Sequence, residues 1–355
     1  MTEISHGEDR NLSLDLLRVL AIVLVMWQHA SECYYIGPGV TVVEDAVPTV
    51  GVFNSYSRAC IGLFVMISGY LLLPMRQSAG QFFRRRFSRV LFPWLFWCVA
   101  FAVYMALRNH GGWVETLDNV AHIPVNFGTD VGHLWYVYML LGVYLLVPIL
   151  SPWLRTCGKR ELQLYLVLWG VTLLLPYLHH VWPQLWGECS WNPTPTLYYF
   201  TGFGGYFVLG HYLRRYGPLS QWLSWFLLLG GYAVTALVFI LHASSTRSAV
   251  DAEMPWDFCC LNVAMMVLGT FSLVIRLRVK ASRVVRKLIV SASLCSYGVY
   301  LCHIMILNEM HPVADHLLRS LPARIAFTAI STFLLSWLAV WLLAKLPKAK
   351  WWMGV

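Results

Sequence analysis

The first apolar segment of the chain carries ionisable side chains that share one side of a helix. Arg18 and His29 are eleven residues apart, so at about 100° per residue they differ by only about 20° around the helix axis. Asp15 and Glu32 fall within about 60° of Arg18 on the same wheel. Charged side chains at the centre of a membrane span cost about 2.5–3.5 kcal/mol each, and they indicate a functional site. We therefore expect a polar interior beside this helix.

Two arginines at the start of a later apolar segment form a second cationic feature. Arg86 and Arg89 are three residues apart, and this spacing places them on one face of a helix. Two adjacent guanidinium forks suit a phosphate or pyrophosphate. The other interpretation is contact with anionic lipid or the ordinary excess of basic residues in cytoplasmic loops, and we favour it for Arg84 and Arg85.

The composition indicates that lipid is the solvent of this chain. Hydrophobic residues make up 58% and charged residues 12%, and the mean hydropathy is +0.60, whereas ordinary globular proteins carry about 25% charged residues. A spanning helix needs about 20 mostly apolar residues. Such segments predict an all-α polytopic membrane protein with about ten transmembrane helices, at 12–31, 56–75, 89–107, 133–151, 161–180, 197–213, 219–241, 256–275, 289–308 and 322–344.

The loop charges predict the orientation. Loops after the even-numbered helices, together with the C-terminal tail, hold most of the 26 basic residues, and the alternate loops hold most of the acids. Cytoplasmic loops are rich in Lys and Arg, so both termini are predicted to be cytoplasmic. The outer loops are too short to fold alone. We expect one membrane domain over 1–355, with a short N-terminal cytoplasmic segment at 1–11 and a tail at 345–355.

Charge and cysteine usage argue against several other classes. The net charge of +9 is explained by the cytoplasmic loops, so no nucleic-acid partner is predicted. The nine cysteines lack CxxC or zinc-type spacing, so no metal site is predicted. Cys33 and Cys189, in predicted outer loops, are the candidate pair for a disulfide. The acidic stretch before the first apolar segment lacks the basic start of a cleaved signal peptide, so that segment is expected to remain a membrane helix.

In this order and topology, these features resemble the acyltransferase-3 family of membrane acyltransferases, over essentially the whole chain. The motifs that carry the resemblance are Arg18 to His29, Arg86 to Arg89, Phe64 to Tyr70, Gly132 to Tyr136 and Ser296 to His303. Ile61-Gly62 departs from the Val-Pro pair that is common at this position. Within the family, the sequence looks most similar to the bacterial group that includes the enterobacterial common antigen O-acetyltransferase.

The resemblance implies acetyl-CoA as the donor cosubstrate and a sugar hydroxyl of an envelope polysaccharide or lipid-linked glycan as the acceptor, at a bacterial inner membrane. Arg18, Arg86 and Arg89 would hold the CoA phosphates. Eleven helical residues rise about 16 Å, which is comparable with an extended pantetheine arm. His29 would act as the general base, because histidine titrates near neutral pH. Further candidates, with packing as their other interpretation, are Asp15, Ser68, Tyr70, His133 and His303.

Several alternatives stay open at this stage. His29 could attack first and carry the acyl group covalently. Glu32 is expected to orient the imidazole, but it could be an ordinary acid at the outer face. Arg18 could be a snorkelling anchor paired with Asp15. The transferred group could be succinyl or longer, and the acceptor could face the cytoplasm. Buried charges also mark transport paths, so a secondary transporter or exporter is the rival class, and a scaffold is a third.

Overall fold

The computed structural model describes residues 10–108, 112–122, 129–182, 202–277 and 279–355. Within these residues, β1 (Ile36–Gly37) pairs with β2 (Thr41–Val42) in a two-stranded antiparallel ladder. The helices in chain order are α1 Leu12–Tyr35, α2 Val47–Ser55, α3 Ala59–Leu72, α4 Ala79–Arg108, α5 Trp113–His122, α6 Trp135–Thr156, α7 Lys159–Thr172, α8 Leu175–Val181, α9 Gly204–Tyr216, α10 Gln221–Ala243, α11 Ala249–Ala252, α12 Leu261–Arg276, α13 Arg283–Leu317 and α14 Leu321–Leu343.

The predicted all-α, polytopic membrane fold is confirmed. Nine helical segments in the described part of the chain are long and apolar enough to cross a membrane: Leu12–Tyr35, Glu44–Leu72, Ala79–Arg108, Gly132–Thr156, Lys159–Val181, Gln221–Ala243, Met254–Arg276, Arg283–Leu317 and Leu321–Leu343. They correspond to nine of the ten predicted spans. The remaining one, 197–213, overlaps α9, which has 13 residues, and its first part lies outside the described residues, as does Cys189.

Two predicted boundaries were wrong in the same region. The second span begins at Glu44 rather than at 56, and it continues into α3 through a 3₁₀ turn at Tyr56–Arg58. Hydropathy is interrupted there by Arg58, but this arginine is buried and paired, so the helix tolerates it. The basic segment before the third span is not a loop, because α4 begins at Ala79. Phe82 is buried on this helical turn while Arg84 and Arg85 remain exposed.

Helix α1 lies at the centre of the bundle, where it packs against α3, α12, α13 and α14. Leu17, Ile22 and Met26 are completely buried. The outer helices instead expose leucine and valine side chains, as expected for surfaces that face lipid. The ionisable stripe of α1 therefore faces other helices.

The predicted C-terminal tail packs back onto the bundle. Its 3₁₀ turn at Ala349–Trp351 brings Trp352 against Phe96 of α4, with ring centroids 5.4 Å apart, and buries Met353 completely. Gly354 then lies against the ring of Tyr297 on α13. The last residues of the chain thus form part of a wall between α4 and α13.

Helices α3 and α9 approach so closely that their backbones touch at two glycines. A Cβ atom on Gly69 would overlap the carbonyl oxygen of Phe207, and one on Gly210 would overlap the carbonyl oxygen of Met66. Backbone atoms cannot move aside as a flexible side chain can. This contact therefore fixes α3, which carries Ser68, against α9.

Replacing either glycine by alanine should weaken this helix pair. We expect Gly69→Ala and Gly210→Ala each to cost about 1–3 kcal/mol of folding free energy through overpacking, measured as a lower thermal unfolding midpoint in detergent. Gly142→Ala is the matched control, because this helical glycine has open space around it. Equal midpoints for all three variants would contradict the close contact.

Candidate active site

A cavity of about 570 Å³ lies between α1, α3, α4, α6 and α13, and it gathers most of the predicted cationic residues. Its lining includes Arg10, Asp15, Arg18, Ser68, Arg86, Arg89, Tyr136, Tyr144, Ser293, Tyr297, Tyr300 and Gly354. Residues that are far apart in the sequence therefore face one space. Four arginines and one aspartate give this space an excess of positive charge, which suits a polyanionic ligand.

Asp15 organises the part of the cavity formed by α1. Its side chain is 1% exposed. The carboxylate accepts two hydrogen bonds from Arg10, at 2.6 and 2.7 Å, and one from Arg18 at 3.2 Å. Ser293 on α13 donates a further bond at 2.6 Å. This acid holds two guanidinium groups in place, and the pKa of the Arg10 guanidinium is raised by its bond to Asp15.

Arg86 and Arg89 face the same cavity from α4. Within the described residues neither forms an ion pair, whereas Arg10 and Arg18 share Asp15. Arg86 is half-buried and Arg89 is exposed. Arg86 and Arg89 thus have no acidic partner among the described residues, and the cavity also holds Arg10 and Arg18, whose charge Asp15 partly neutralises. Such a group of cations is suited to bind an anion with several negative groups. Arg84 and Arg85 are exposed and are not among the residues that line this cavity.

At the other end of α1, His29 and Glu32 are in direct contact. His29 Nδ1 lies 2.7 Å from Glu32 Oε2. Glu32 also accepts hydrogen bonds from Gln28 at 3.2 Å and from Arg58 at 3.4 Å. A carboxylate on Nδ1 favours the tautomer that leaves Nε2 with its lone pair. This arrangement leaves Nε2 able to accept a proton.

Arg58 is a site residue that the sequence analysis did not identify. Its side chain is 4% exposed and lies 3.8 Å from a Glu253 oxygen, and its guanidinium stacks on Trp256 at 4.4 Å. The sequence does contain a signal for this role, because an arginine within an apolar span requires a partner. Arg58 couples Glu32 on α1 to the segment before α12.

Three histidines lie close together beyond the cavity. The rings of His29 and His303 are 5.2 Å apart, and the rings of His303 and His133 are also 5.2 Å apart. His303 is completely buried. The structure therefore brings His133 and His303 to His29. It does not bring Tyr70 there, because the ring of Tyr70 packs on Phe271 and lies away from the cavity lining.

The cationic cavity and the histidine cluster are separated by aromatic rings. Tyr136 and Tyr300 line the cavity and meet edge to face with centroids 5.4 Å apart, and His29 is not among the lining residues. The Tyr300 hydroxyl donates to the carbonyl oxygen of His133. The cavity that contains Arg18 therefore does not extend to His29, and Tyr136 of α6 and Tyr300 of α13 line it on the side of the histidines.

Comparison with known proteins gives one match. A family model described as an acyltransferase domain, Acyl_transf_3, matches residues 11–341. This range includes α1 to α13, nearly all of α14, and the three histidines; of the cavity residues named above, Arg10 and Gly354 lie outside it. No curated protein matches, and no solved structure matches.

The hydrogen bonds of Asp15 predict that replacing its carboxylate lowers the free energy of unfolding. Asp15→Asn removes the charge that compensates Arg10 and Arg18, and we expect a loss of about 2 kcal/mol in unfolding free energy, the order of hydrogen bonds to charged groups. Asp315→Asn is the control: its carboxylate is 40% exposed and pairs with Arg324 at 3.5 Å, so its loss should cost less than about 1 kcal/mol. Thermal unfolding in detergent measures both, and equal losses would contradict the role of Asp15.

The carboxyl group of Glu253 should make the stability of the folded protein depend on pH. Burial of its carboxyl group, with repulsion from Glu32, raises its pKa from 4.5 to about 8. Between these values the folded chain binds a proton that the unfolded chain does not, so the stability contributed by this group falls as the pH rises from about 4.5 to 8. Glu253→Gln keeps a neutral side chain and should remove that slope from the thermal midpoint. Parallel pH curves for the variant and the parent chain would refute the assignment.

Proposed function

The chain belongs to the acyltransferase family whose model matches it, and from that membership we propose that it moves an acetyl group from acetyl-CoA to a sugar hydroxyl of a cell-envelope glycan. The observation that carries the proposal is the placement of two clusters on one stripe of α1. Arg18 lies in the cationic cavity and His29 lies in the histidine cluster. Eleven helical residues between them rise about 16 Å, a distance that a pantetheine arm can cover.

The cationic cavity is suited to the nucleotide end of the donor. Coenzyme A carries a diphosphate and a separate phosphate, and arginine forks bind such groups in bidentate fashion. Arg86 and Arg89 supply uncompensated charge, while Arg18 is held by Asp15 at 3.2 Å. With the phosphates at these residues, the arm extends along α1 between Tyr136 and Tyr300, whose rings move apart to admit it.

The histidine end supplies the chemistry of acyl transfer. The hydroxyl oxygen of the acceptor forms a bond to the thioester carbonyl carbon while His29 Nε2 takes the hydroxyl proton. The carbon–sulfur bond then breaks, and the departing thiolate receives that proton from His29. Glu32, 2.7 Å from Nδ1, stabilises the imidazolium that forms between these events, as a carboxylate does in hydrolase triads.

The acceptor is proposed to approach from the outer side of a bacterial inner membrane. Loop charges place the end of α1 that carries His29 toward that side, and His29 and Glu32 are 20% and 23% exposed. The donor enters from the cytoplasm, where the arginines lie. The acceptor is then a lipid-linked or growing polysaccharide, such as the common-antigen glycans of the bacterial group that the sequence resembles.

His29→Ala should abolish transfer while leaving donor binding intact. We expect a loss of roughly 10²–10⁴-fold in kcat, because a positioned general base contributes about that much. The assay uses purified protein in liposomes with radiolabelled acetyl-CoA and lipid-linked glycan extracted from envelopes. Arg86→Ala should instead raise the KM for acetyl-CoA. Arg84→Ala is the matched control, because this arginine is two residues away and does not line the cavity.

Full transfer by His29→Ala would overturn the proposed mechanism. Label that crosses the liposome membrane without ester formation would favour a transporter instead. Mass spectrometry of envelope glycans from strains with the parent chain and with His29→Ala identifies the transferred group and the acceptor sugar. A mass loss larger than acetyl would replace acetyl by a longer acyl group.

A further inference from the structure

Helix α13 carries a polar stripe that runs beside the stripe of α1. Ser293, Tyr297 and Tyr300 line the cationic cavity, and His303 follows one turn later. Ser293 donates to Asp15 near the start of α1, and the ring of His303 lies 5.2 Å from that of His29 near its end. The polar stripes of the two helices therefore run side by side from the arginines to the histidines, with Tyr300 between the cavity and His303.

The hydrogen bonds of His303 fix its tautomer. Its Nδ1 lies 2.7 Å from the backbone carbonyl oxygen of Tyr300. A carbonyl oxygen only accepts, so Nδ1 carries the hydrogen and Nε2 presents a lone pair. The side chain is 0% exposed, and Nε2 has no hydrogen-bond partner among the described residues.

No donor among the described residues reaches this acceptor atom, so it is available to a bound ligand. A buried polar atom without a hydrogen bond is unfavourable, because it has lost its hydrogen bonds to water. The nearest ionisable neighbours of His303 are the rings of His29 and His133, each with its centroid 5.2 Å away, and Nε2 of His133 has no partner in the described chain either. A bound ligand with an N–H or O–H group would satisfy the lone pair.

The position of His303 between Tyr300 and His29 indicates which part of the acyl donor would contact it. Tyr300 lines the cavity and His303 lies one turn beyond it, whereas His29 and Glu32 are partly exposed toward the other end of α1. A chain that enters from the arginines passes Tyr300 and reaches His303 before its terminus meets His29. In the arm of coenzyme A, the amide nearest the sulfur is separated from it by two carbons.

Building on the proposed function, we infer that His303 Nε2 accepts a hydrogen bond from the donor amide N–H nearest the thioester. This contact stops the arm at a fixed depth, with the thioester carbonyl beside His29 Nε2. His303 is then a binding residue for the acyl donor. It transfers no proton, and its ring stays neutral throughout the reaction.

Two conservative variants separate this role from a purely structural one. Asparagine places an amide nitrogen at the position of Nδ1, so His303→Asn can keep the bond to the Tyr300 carbonyl but has no acceptor at Nε2. Glutamine places a carbonyl oxygen at the position of Nε2, so His303→Gln keeps the acceptor and loses the bond to the backbone. The inference predicts that His303→Gln retains kcat/KM for acetyl-CoA within a few-fold, whereas His303→Asn loses roughly tenfold or more.

A modified donor identifies the group that His303 contacts. Acetyl-CoA methylated on the amide nitrogen nearest the sulfur has no hydrogen to donate there. The parent chain should prefer acetyl-CoA over this analogue by roughly tenfold, and His303→Asn should remove most of that preference. Thermal midpoints of both variants in detergent, within a few degrees of the parent chain, show that they are folded.

The outcomes distinguish this inference from the proposed function. If the parent chain transfers no acetyl group, the proposed function itself fails. If the parent chain transfers acetyl but His303→Asn is more active than His303→Gln, the bond from His303 to the Tyr300 carbonyl is what matters. His303 then only stabilises its own helix, and the inference is wrong. If the parent preference for the N–H donor persists in His303→Asn, the amide contacts another residue and the inference is also wrong.

Discussion

The cost of burying charge in an apolar bundle is the constraint on which this structure depends. Helix α1 carries one carboxylate near each end, and each is bound by residues of α1 together with residues from other parts of the chain. Asp15 is bound by Arg10, Arg18 and Ser293, and Glu32 is bound by His29 and Arg58. Because an uncompensated charge in this environment costs several kcal/mol, these pairs select which faces of α3 and α13 meet α1.

The cost of burying charge also explains why the two ends of α1 differ. Near Asp15, four arginines meet a single acid, so charge remains available for an anionic ligand. Near Glu32, the acid is balanced by Arg58, and Trp256 covers the guanidinium. That end therefore holds a fixed, nearly neutral environment around His29. One end can bind a polyanion, and the other can position an imidazole for proton transfer.

Aromatic side chains divide the space between the ends. Tyr136 and Tyr300 are close-packed, and Tyr300 is tied to the backbone of His133. His303 beyond these rings is completely buried, and the exclusion of water strengthens electrostatic interactions at such a position. In an acyltransferase, it would also protect a thioester from hydrolysis until the acceptor is present. The close-packed tyrosine rings and the buried lone pair of His303 thus lie next to each other between the cationic cavity and His29.

The sequence by itself determined the helical membrane architecture, which follows from the composition and the lengths of the apolar segments. It also determined the angular relation between Arg18 and His29, which follows from helical periodicity within one segment. It also placed Arg86 and Arg89 one helical turn apart. Only the tertiary structure decided that Asp15 meets Ser293, that Arg58 reaches Glu32, and that tyrosines separate the cavity from His29. These relations join residues up to 278 positions apart, and they depend on how side-chain volumes fill the space between helices, which no single-helix pattern encodes.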